Sequence, residues 1–188
     1  MLKKLKFLII VFTLLLTSCS NLKNKSTSYG QRINGKKEGT WKIYDSTDAL
    51  EEISNYKHDT LNGLRISYYN NGEIYTKAHY KMGVFVDSFL LYFNNGQVEY
   101  ESWFDSLGRE QGLYKVYHKN GKLRSTGYEV NNQYNDTIKT FHDNGQLEFL
   151  EYYKNGKKEG VFKMFDKQGI LIKKEEFKND SLKSVEFF

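Results

Sequence analysis

The chain has 188 residues, of which 28 are lysine or arginine and 23 are aspartate or glutamate, so its formal net charge at pH 7 is +5. Three of the basic residues, Lys3, Lys4 and Lys6, lie in an N-terminal segment that is typical of a removable signal, and without them 25 basic residues face 23 acidic ones, a charge of +2. Its 15 tyrosines, 13 phenylalanines and lack of proline exclude disordered, collagen-like and polyproline chains.

Residues 1–18 predict a lipoprotein signal peptide. The apolar run over residues 7–16 is too short for a membrane-spanning helix, which needs roughly 20 residues. The segment Leu16-Thr17-Ser18-Cys19 resembles the bacterial lipobox, in which the chain is cut before a cysteine that carries the lipid. We therefore predict that Cys19 is lipidated, with palmitate or a similar acyl chain, and that the protein contacts the membrane through this anchor. The alternative is an ordinary cleaved signal that leaves a free thiol.

Residues 19–32 predict a flexible tether between the anchor and a folded domain. Most of them are serine, asparagine, lysine, threonine or glutamine, and a dozen such residues reach roughly 20 Å. Cys19 is the only cysteine, so no intrachain disulfide can form. These features predict that the protein is located in the cell envelope. Ser20 is not the aspartate that retains some lipoproteins in the inner membrane, so the outer membrane is favoured.

A motif with a period of about 24 residues fills residues 33–188. One turn of each period has an aromatic residue, polar residues and a turn glycine, and a second turn has pairs such as Asn34-Gly35 and Asn155-Gly156. Asparagine and glycine readily adopt the positive φ of tight hairpins. The predicted structural turn residues are Gly35, Gly72, Gly96, Gly121, Gly145, Gly156 and Gly169.

The segments between turns alternate as half-buried strands do. Trp41 and Ile43 flank Lys42, and the same pattern recurs in later periods. The second strand of each period is predicted to end on a core aromatic residue, at Tyr56, Tyr80, Phe104, Tyr128, Tyr153 and Phe177. Small residues before them leave room for a neighbouring ring, at Ser54, Ala78, Ser102 and Gly127.

The predicted fold class is all-β: an elongated antiparallel β-hairpin repeat array, with about six 24-residue repeats plus a terminal strand. One hairpin cannot bury its apolar face alone, so neighbouring repeats must share a core. The array would form an open twisted sheet or a solenoid.

Two segments, residues 34–44 and 155–165, resemble the MORN repeat in its bacterial variant, with an Asn-Gly-Lys turn followed by Gly-x-aromatic-Lys-x-aromatic. The resemblance covers residues 33–188 and implies a β-hairpin array that serves in binding or scaffolding. The variant is also associated with a family of antitoxins. The repeats at residues 83–87 and 131–136 lack the Gly-Lys-x-x-Gly run.

The sequence predicts no enzyme activity, no catalytic residue, no cofactor and no metal site. It contains no nucleophile elbow, phosphate-binding loop or dinucleotide fingerprint. His118 and His142 occupy the same repeat position and, with Asp143, are a conceivable metal arrangement. That turn position accepts other polar residues, so we interpret it as structural.

A column of lysines, Lys42, Lys115, Lys139 and Lys163, is the candidate binding face. Neighbouring glutamates and the near-neutral mature charge argue against nucleic acid as the partner. The predicted function is a membrane-anchored extracytoplasmic binding or scaffold module that recognises an envelope protein or a glycan through its repeat sheet. The alternative, implied by the resemblance, is a toxin-neutralising immunity or antitoxin-like protein.

Overall fold

The computed structural model describes residues 26–188, which form one antiparallel sheet of fifteen strands. Each long strand pairs with the next along the chain, and the short β12 pairs with β11 beside that path. This confirms the predicted all-β hairpin array. The strands are β1 (Thr27–Ile33), β2 (Lys36–Tyr44), β3 (Leu50–Lys57), β4 (Thr60–Tyr68), β5 (Ile74–Lys81), β6 (Val84–Tyr92), β7 (Val98–Phe104), β8 (Glu110–Tyr117), β9 (Leu123–Val130), β10 (Gln133–Phe141), β11 (Leu147–Lys154), β12 (Lys157–Lys158), β13 (Gly160–Phe165), β14 (Leu171–Lys178) and β15 (Ser181–Phe187).

The folded domain starts earlier than the sequence predicted. Strand β1 covers Thr27–Ile33, most of which was assigned to the 19–32 tether. The polar composition of this segment gives little indication that it packs on the sheet. In the structure, the ring of Tyr29 lies edge-on to the ring of Tyr44 at 5.8 Å, and the ring of Trp41 lies directly over Gly30. The predicted signal peptide, Cys19 and the start of the tether lie outside the described residues.

Two kinds of turn alternate along the sheet, except between β7 and β8, where a five-residue turn replaces the tight one. Tight two-residue turns such as Asn34-Gly35 have positive φ at both residues, which matches the twist of the flanking strands. The other turns span five residues and carry a positive-φ residue at the fourth. The seven predicted turn glycines all have positive φ: Gly35, Gly72, Gly96, Gly121, Gly145, Gly156 and Gly169.

A bulge in every second strand lets this single sheet enclose a core. In β6 the bulge centres on Asp87, with φ of 58°, and the strand register shifts beside it. The rings of Phe85 and Phe89 are 5.4 Å apart, whereas four residues of regular strand would separate them by about 13 Å. The bulge therefore folds one end of the strand over the inner face. The equivalent positive-φ residues are Gly39, Gly63, Gly112, Asp136 and Gly160.

The core is a ladder of aromatic rings along the inner face. Consecutive ring centroids lie 4.8 to 6.3 Å apart from Tyr80 to Phe177. Lys158 lies over the last two rings at 5.2 and 4.6 Å, and Lys37 lies over Trp41 at 4.7 Å. Cations therefore cover rings near both ends of the core. The ladder runs Tyr80, Phe85, Phe89, Tyr100, Tyr114, Tyr134, Tyr153, Phe162 and Phe177.

The prediction of Tyr128 as a core ring is wrong. Tyr128 points to the opposite face and is 47% exposed, whereas the next residue, Glu129, is buried at the core position. The turn between Phe104 and Glu110 has five residues where its equivalents have two, while β7 and β8 are each one residue shorter than the equivalent strands, so this period has 25 residues instead of 24. The extra residue moves every later core position by one, and a one-residue shift reverses the face of a strand residue.

Gly127 allows close packing of two core side chains. A Cβ atom at Gly127 would lie 2.9 Å from Ile138 and 3.0 Å from the Tyr114 ring. We expect Gly127→Ala to lower the free energy of unfolding by about 1–3 kcal/mol, since overpacking forces side chains out of their preferred rotamers. Urea unfolding followed by circular dichroism measures this. Arg124→Ala, at an exposed position on the outer face of the same strand, is the control; an equal loss in both variants would contradict the steric account.

Candidate functional site

The outer face of the sheet, opposite the ring ladder, carries a row of exposed aromatic side chains that we call the aromatic row: Trp103, Tyr128 and Tyr152. Their exposed fractions are 58%, 47% and 38%. Each directly precedes an inward residue, and successive strand residues point to opposite faces. Clustered exposed rings mark interaction sites more strongly than isolated ones do.

The aromatic row follows the repeat. Its residues occupy equivalent positions on β7, β9 and β11, and the intervening strands place Leu113 opposite Tyr128 and Thr137 opposite Tyr152. Rings on every second strand are about 10 Å apart, since neighbouring strands are about 4.8 Å apart. The same position is Asn55, His79 and Glu176 in the other repeats, so the row is confined to three consecutive ones.

Three of the four predicted binding lysines adjoin this row. We call these three residues the lysine row: Lys115, Lys139 and Lys163. They lie on the strands between or beside the rings, and they face outward because each is two residues along its strand from another outward-facing residue. Leu150 pairs with both Lys139 and Lys163 in the sheet register. Lys42 is exposed on the same face but on β2, several strands from any residue of the aromatic row.

The lysines differ in electrostatic environment. The ammonium of Lys115 binds the Glu101 carboxylate at 2.7 Å, which raises the pKa of Lys115, and the Tyr117 hydroxyl donates to the same carboxylate at 3.0 Å. Within residues 26–188, no acidic side chain pairs with Lys139 or Lys163. These two lysines therefore offer positive charge to a ligand.

A shallow groove continues this surface toward β15. It is lined by Val161, Lys163, Lys174, Glu176, Ser184 and Glu186. Glu176 stands at the position that carries a ring in the aromatic row, and Glu186 lies 3.8 Å from Lys174. The positive character of the outer face therefore declines beyond β13.

Two buried carboxylates interrupt the aromatic core, and sequence reasoning missed both. Glu110 accepts a hydrogen bond from the Tyr100 hydroxyl and another, of 2.6 Å, from Ser102. Glu110 and Glu129 are only 1% and 3% exposed. The signal for Glu129 was the 25-residue period, which puts this glutamate at the position that Phe104 and Tyr153 occupy in the neighbouring repeats. Since solvent barely reaches the two carboxylates, they join the core's polar network rather than an open cleft.

The two histidines considered for a metal join neighbouring repeats instead. Nε2 of His118 lies 3.0 Å from the carbonyl of Phe141, and Nε2 of His142 lies 3.0 Å from that of Phe165. An N–H in each ring can donate to that carbonyl. No group of three metal-ligating residues occurs among residues 26–188.

No helix in the described part of the chain is long and apolar enough to span a membrane. No curated protein sequence matches this chain.

Solved structures with a local likeness include a mutant of S. aureus TarM in complex with fondaparinux, α-GlcNAc-glycerol and UDP, with 11% identity and a TM-score of 0.40. That match covers 67% of this chain and 23% of the other. A second TarM crystal structure has 11% identity and a TM-score of 0.41, over 66% of this chain and 23% of that one. The chain spans about a quarter of the length of these proteins.

The family comparison agrees with the periodicity of the sheet. The MORN repeat variant matches residues 37–58, 61–82, 110–131, 137–157 and 158–179, more than half of the chain. Residues 83–109, which include the Asp87 bulge and the lengthened turn, fall outside the matches. With five matched repeats and the hairpin array they form, this chain belongs to the MORN repeat variant family.

Proposed function

We propose that the protein is a lipid-anchored binding module of the cell envelope, whose repeat sheet recognises another envelope protein or a glycan. MORN repeats generally act as scaffold modules that bind proteins or membranes. The observation that carries the proposal is the outer face, where exposed rings in three consecutive repeats adjoin Lys139 and Lys163, which have no acidic partner among the described residues, and Lys115, which is paired with Glu101. Tryptophan and tyrosine are the residues that most often dominate binding energy at interfaces.

The proposed activity is binding rather than catalysis, with no cofactor, metal or nucleic acid. The outer face is an open sheet surface, suited to a ligand that lies across several strands. The alternative function is that of an immunity or antitoxin-like protein, in which the partner bound by the sheet is a toxin.

The anchor is tested through Cys19. We expect Cys19→Ala to move the protein from the membrane fraction to the soluble fraction and to remove the acyl mass from the mature chain, because the thiol is the proposed attachment point. Ser20→Ala, one residue later, is the matched control and should remain in the membrane fraction. Unchanged fractionation and mass in Cys19→Ala would refute lipidation.

Binding is tested by recovery of envelope components on the purified protein. A variant with alanine at Trp103, Tyr128 and Tyr152 should lose the partner that the unchanged protein retains, while Tyr29→Ala should retain it. Tyr29 is a suitable control because it is also highly exposed but lies on β1. Equal recovery by all three proteins would contradict a function of this surface.

A further inference from the structure

We infer that the aromatic row and the lysine row together bind an extended acidic polysaccharide, which lies across the strands from β7 to β13. This inference rests on the proposed function, because it assigns a ligand class to the same surface. It names an anionic glycan where the proposed function leaves protein and glycan open.

The spacing of the rings is the first observation that favours a polymer. Trp103, Tyr128 and Tyr152 stand at the same position in successive repeats, about 10 Å apart across two strand spacings. An extended glycan presents its sugar rings at intervals close to one strand spacing, so every second sugar meets a ring. A regular polymer can therefore make the same contact three times, and the linked contacts reinforce one another.

The shape of the surface is the second observation. The rings form a single line across the sheet, and the residues opposite them on the intervening strands are not aromatic: Leu113 lies opposite Tyr128 and Thr137 lies opposite Tyr152. Protein interfaces usually need more than about 1,000 Å² of buried surface around a central cluster of hot-spot residues. A narrow line of separated rings instead suits a chain of sugars, whose axial C–H groups form apolar faces that pack on aromatic rings.

Charge is the third observation, and it selects an acidic glycan. Lys139 and Lys163 alternate with the rings across the sheet, and within the described residues neither has an acidic partner. Carboxylate or phosphate groups on the sugars would provide the missing anions. Glu176, which takes the place of a ring after Tyr152, would repel such a ligand and so limits the site.

The chain contains its own reporter of binding. Of its two tryptophans, Trp41 is 4% exposed in the core and Trp103 is 58% exposed in the aromatic row. A sugar that packs on Trp103 should shift its fluorescence to shorter wavelength and protect it from acrylamide quenching. The buried Trp41 should contribute a constant signal.

The experiment uses the full-length protein in detergent with three probes: a short oligogalacturonate, a neutral cello-oligosaccharide of the same length, and poly-glutamate. We expect the oligogalacturonate to bind most tightly and to shift the Trp103 emission, with an affinity that falls as salt rises, since salt screens exposed charges. Poly-glutamate should bind weakly, because it offers charge without sugar faces.

Substitutions separate the two rows. Tyr128→Ala or Tyr152→Ala should each weaken oligogalacturonate binding about thirtyfold, the loss that marks a hot-spot ring. Replacing Lys139 and Lys163 by glutamine should remove most of the salt dependence. Lys42→Gln, on the same face but outside the site, is the matched control and should change neither quantity.

Three outcomes would overturn the inference: equal binding of the neutral and acidic oligosaccharides, equal binding of poly-glutamate, or no binding of any probe. The proposed function has a separate readout. If no saccharide binds but the ring substitutions still abolish recovery of an envelope protein, the surface is a protein-binding site and only the glycan assignment fails. If recovery is also unaffected, both proposals fail.

Discussion

Replacing Phe89 by alanine is expected to lower the free energy of unfolding by about 3–5 kcal/mol, the usual cost of deleting a buried ring. Phe89 is 4% exposed and lies between the rings of Phe85 and Tyr100, at centroid distances of 5.4 and 6.1 Å. Its cross-strand neighbours are Ala78 and Ser102. Both are too small to fill the cavity, so the site relaxes little.

The loss should be a large fraction of the stability of the domain, because folded domains are stable by about 5–15 kcal/mol. Repeats of an array contact only their neighbours, so a defect in the middle weakens the coupling between its two ends. Urea unfolding followed by circular dichroism measures both the loss and any broadening of the transition.

Leu113→Ala is the control for Phe89→Ala. Leu113 is an apolar residue of similar size in a nearby strand, but it lies half-exposed on the outer face. Its truncation should change the free energy of unfolding by no more than about 0.5 kcal/mol. Similar effects in the two variants would show that the inner face is not the core.

The periodicity of the sequence predicted most of the fold because each repeat carries its turns and core residues at fixed offsets. The Asn34-Gly35 pair predicted a turn whose two residues indeed have positive φ. The turn His58-Asp59 also has positive φ at both residues, although it contains neither asparagine nor glycine. Its position in the 24-residue period is what indicates a turn there.

The bulges were harder to predict because their residues differ between repeats. Gly112 indicates a position of unusual backbone conformation, but Asp87 and Asp136 adopt positive φ at equivalent positions. Aspartate tolerates this conformation better than most residues. The alternating pattern alone predicts straight strands, and a sheet of straight strands would not enclose a core on its inner face.

The outer surface could be predicted only in part, because a ring in an alternating strand does not say which face it occupies. Tyr128 and Tyr153 both looked like core residues, yet the extra residue in the preceding turn puts Tyr128 outside. The lysines lie on one face because they alternate with buried residues along their strands, but their proximity to the aromatic row depends on strand register, which the sequence does not show.

Stability should also fall steeply above pH 10, because four tyrosines of the core must stay neutral in the folded state. Burial raises the pKa of Tyr100, Tyr114, Tyr134 and Tyr153 above the ordinary value of 10.0. The buried Glu110 carboxylate raises the pKa of Tyr100 further, and Glu151 that of Tyr153.

The direction of this dependence follows from proton binding. Above pH 10 the unfolded chain loses the phenolic protons, while the folded chain keeps them until its own, higher pKa is reached. The folded state then binds more protons, so the stability that is complete below pH 10 decreases as the pH rises. Each tyrosine contributes at most about 1.4 kcal/mol per pH unit.

Tyr153→Phe isolates one of these contributions. The substitution keeps the ring that packs on Tyr134 at 5.2 Å and on Phe162 at 5.5 Å, and removes the hydroxyl that approaches Glu151. Urea unfolding at several pH values should show a slope above pH 10 that is shallower by up to about 1.4 kcal/mol per pH unit.

Tyr128→Phe removes a hydroxyl of the same kind from an exposed ring on the outer face and is the matched control. It should leave the slope unchanged, because solvent at the outer face hydrates a phenolate in the folded and the unfolded chain alike. If Tyr128→Phe and Tyr153→Phe gave equal slopes, the alkaline loss would come from charge repulsion across the whole surface. A difference between them instead ties it to the buried tyrosine ladder, whose rings exclude the water that a phenolate needs.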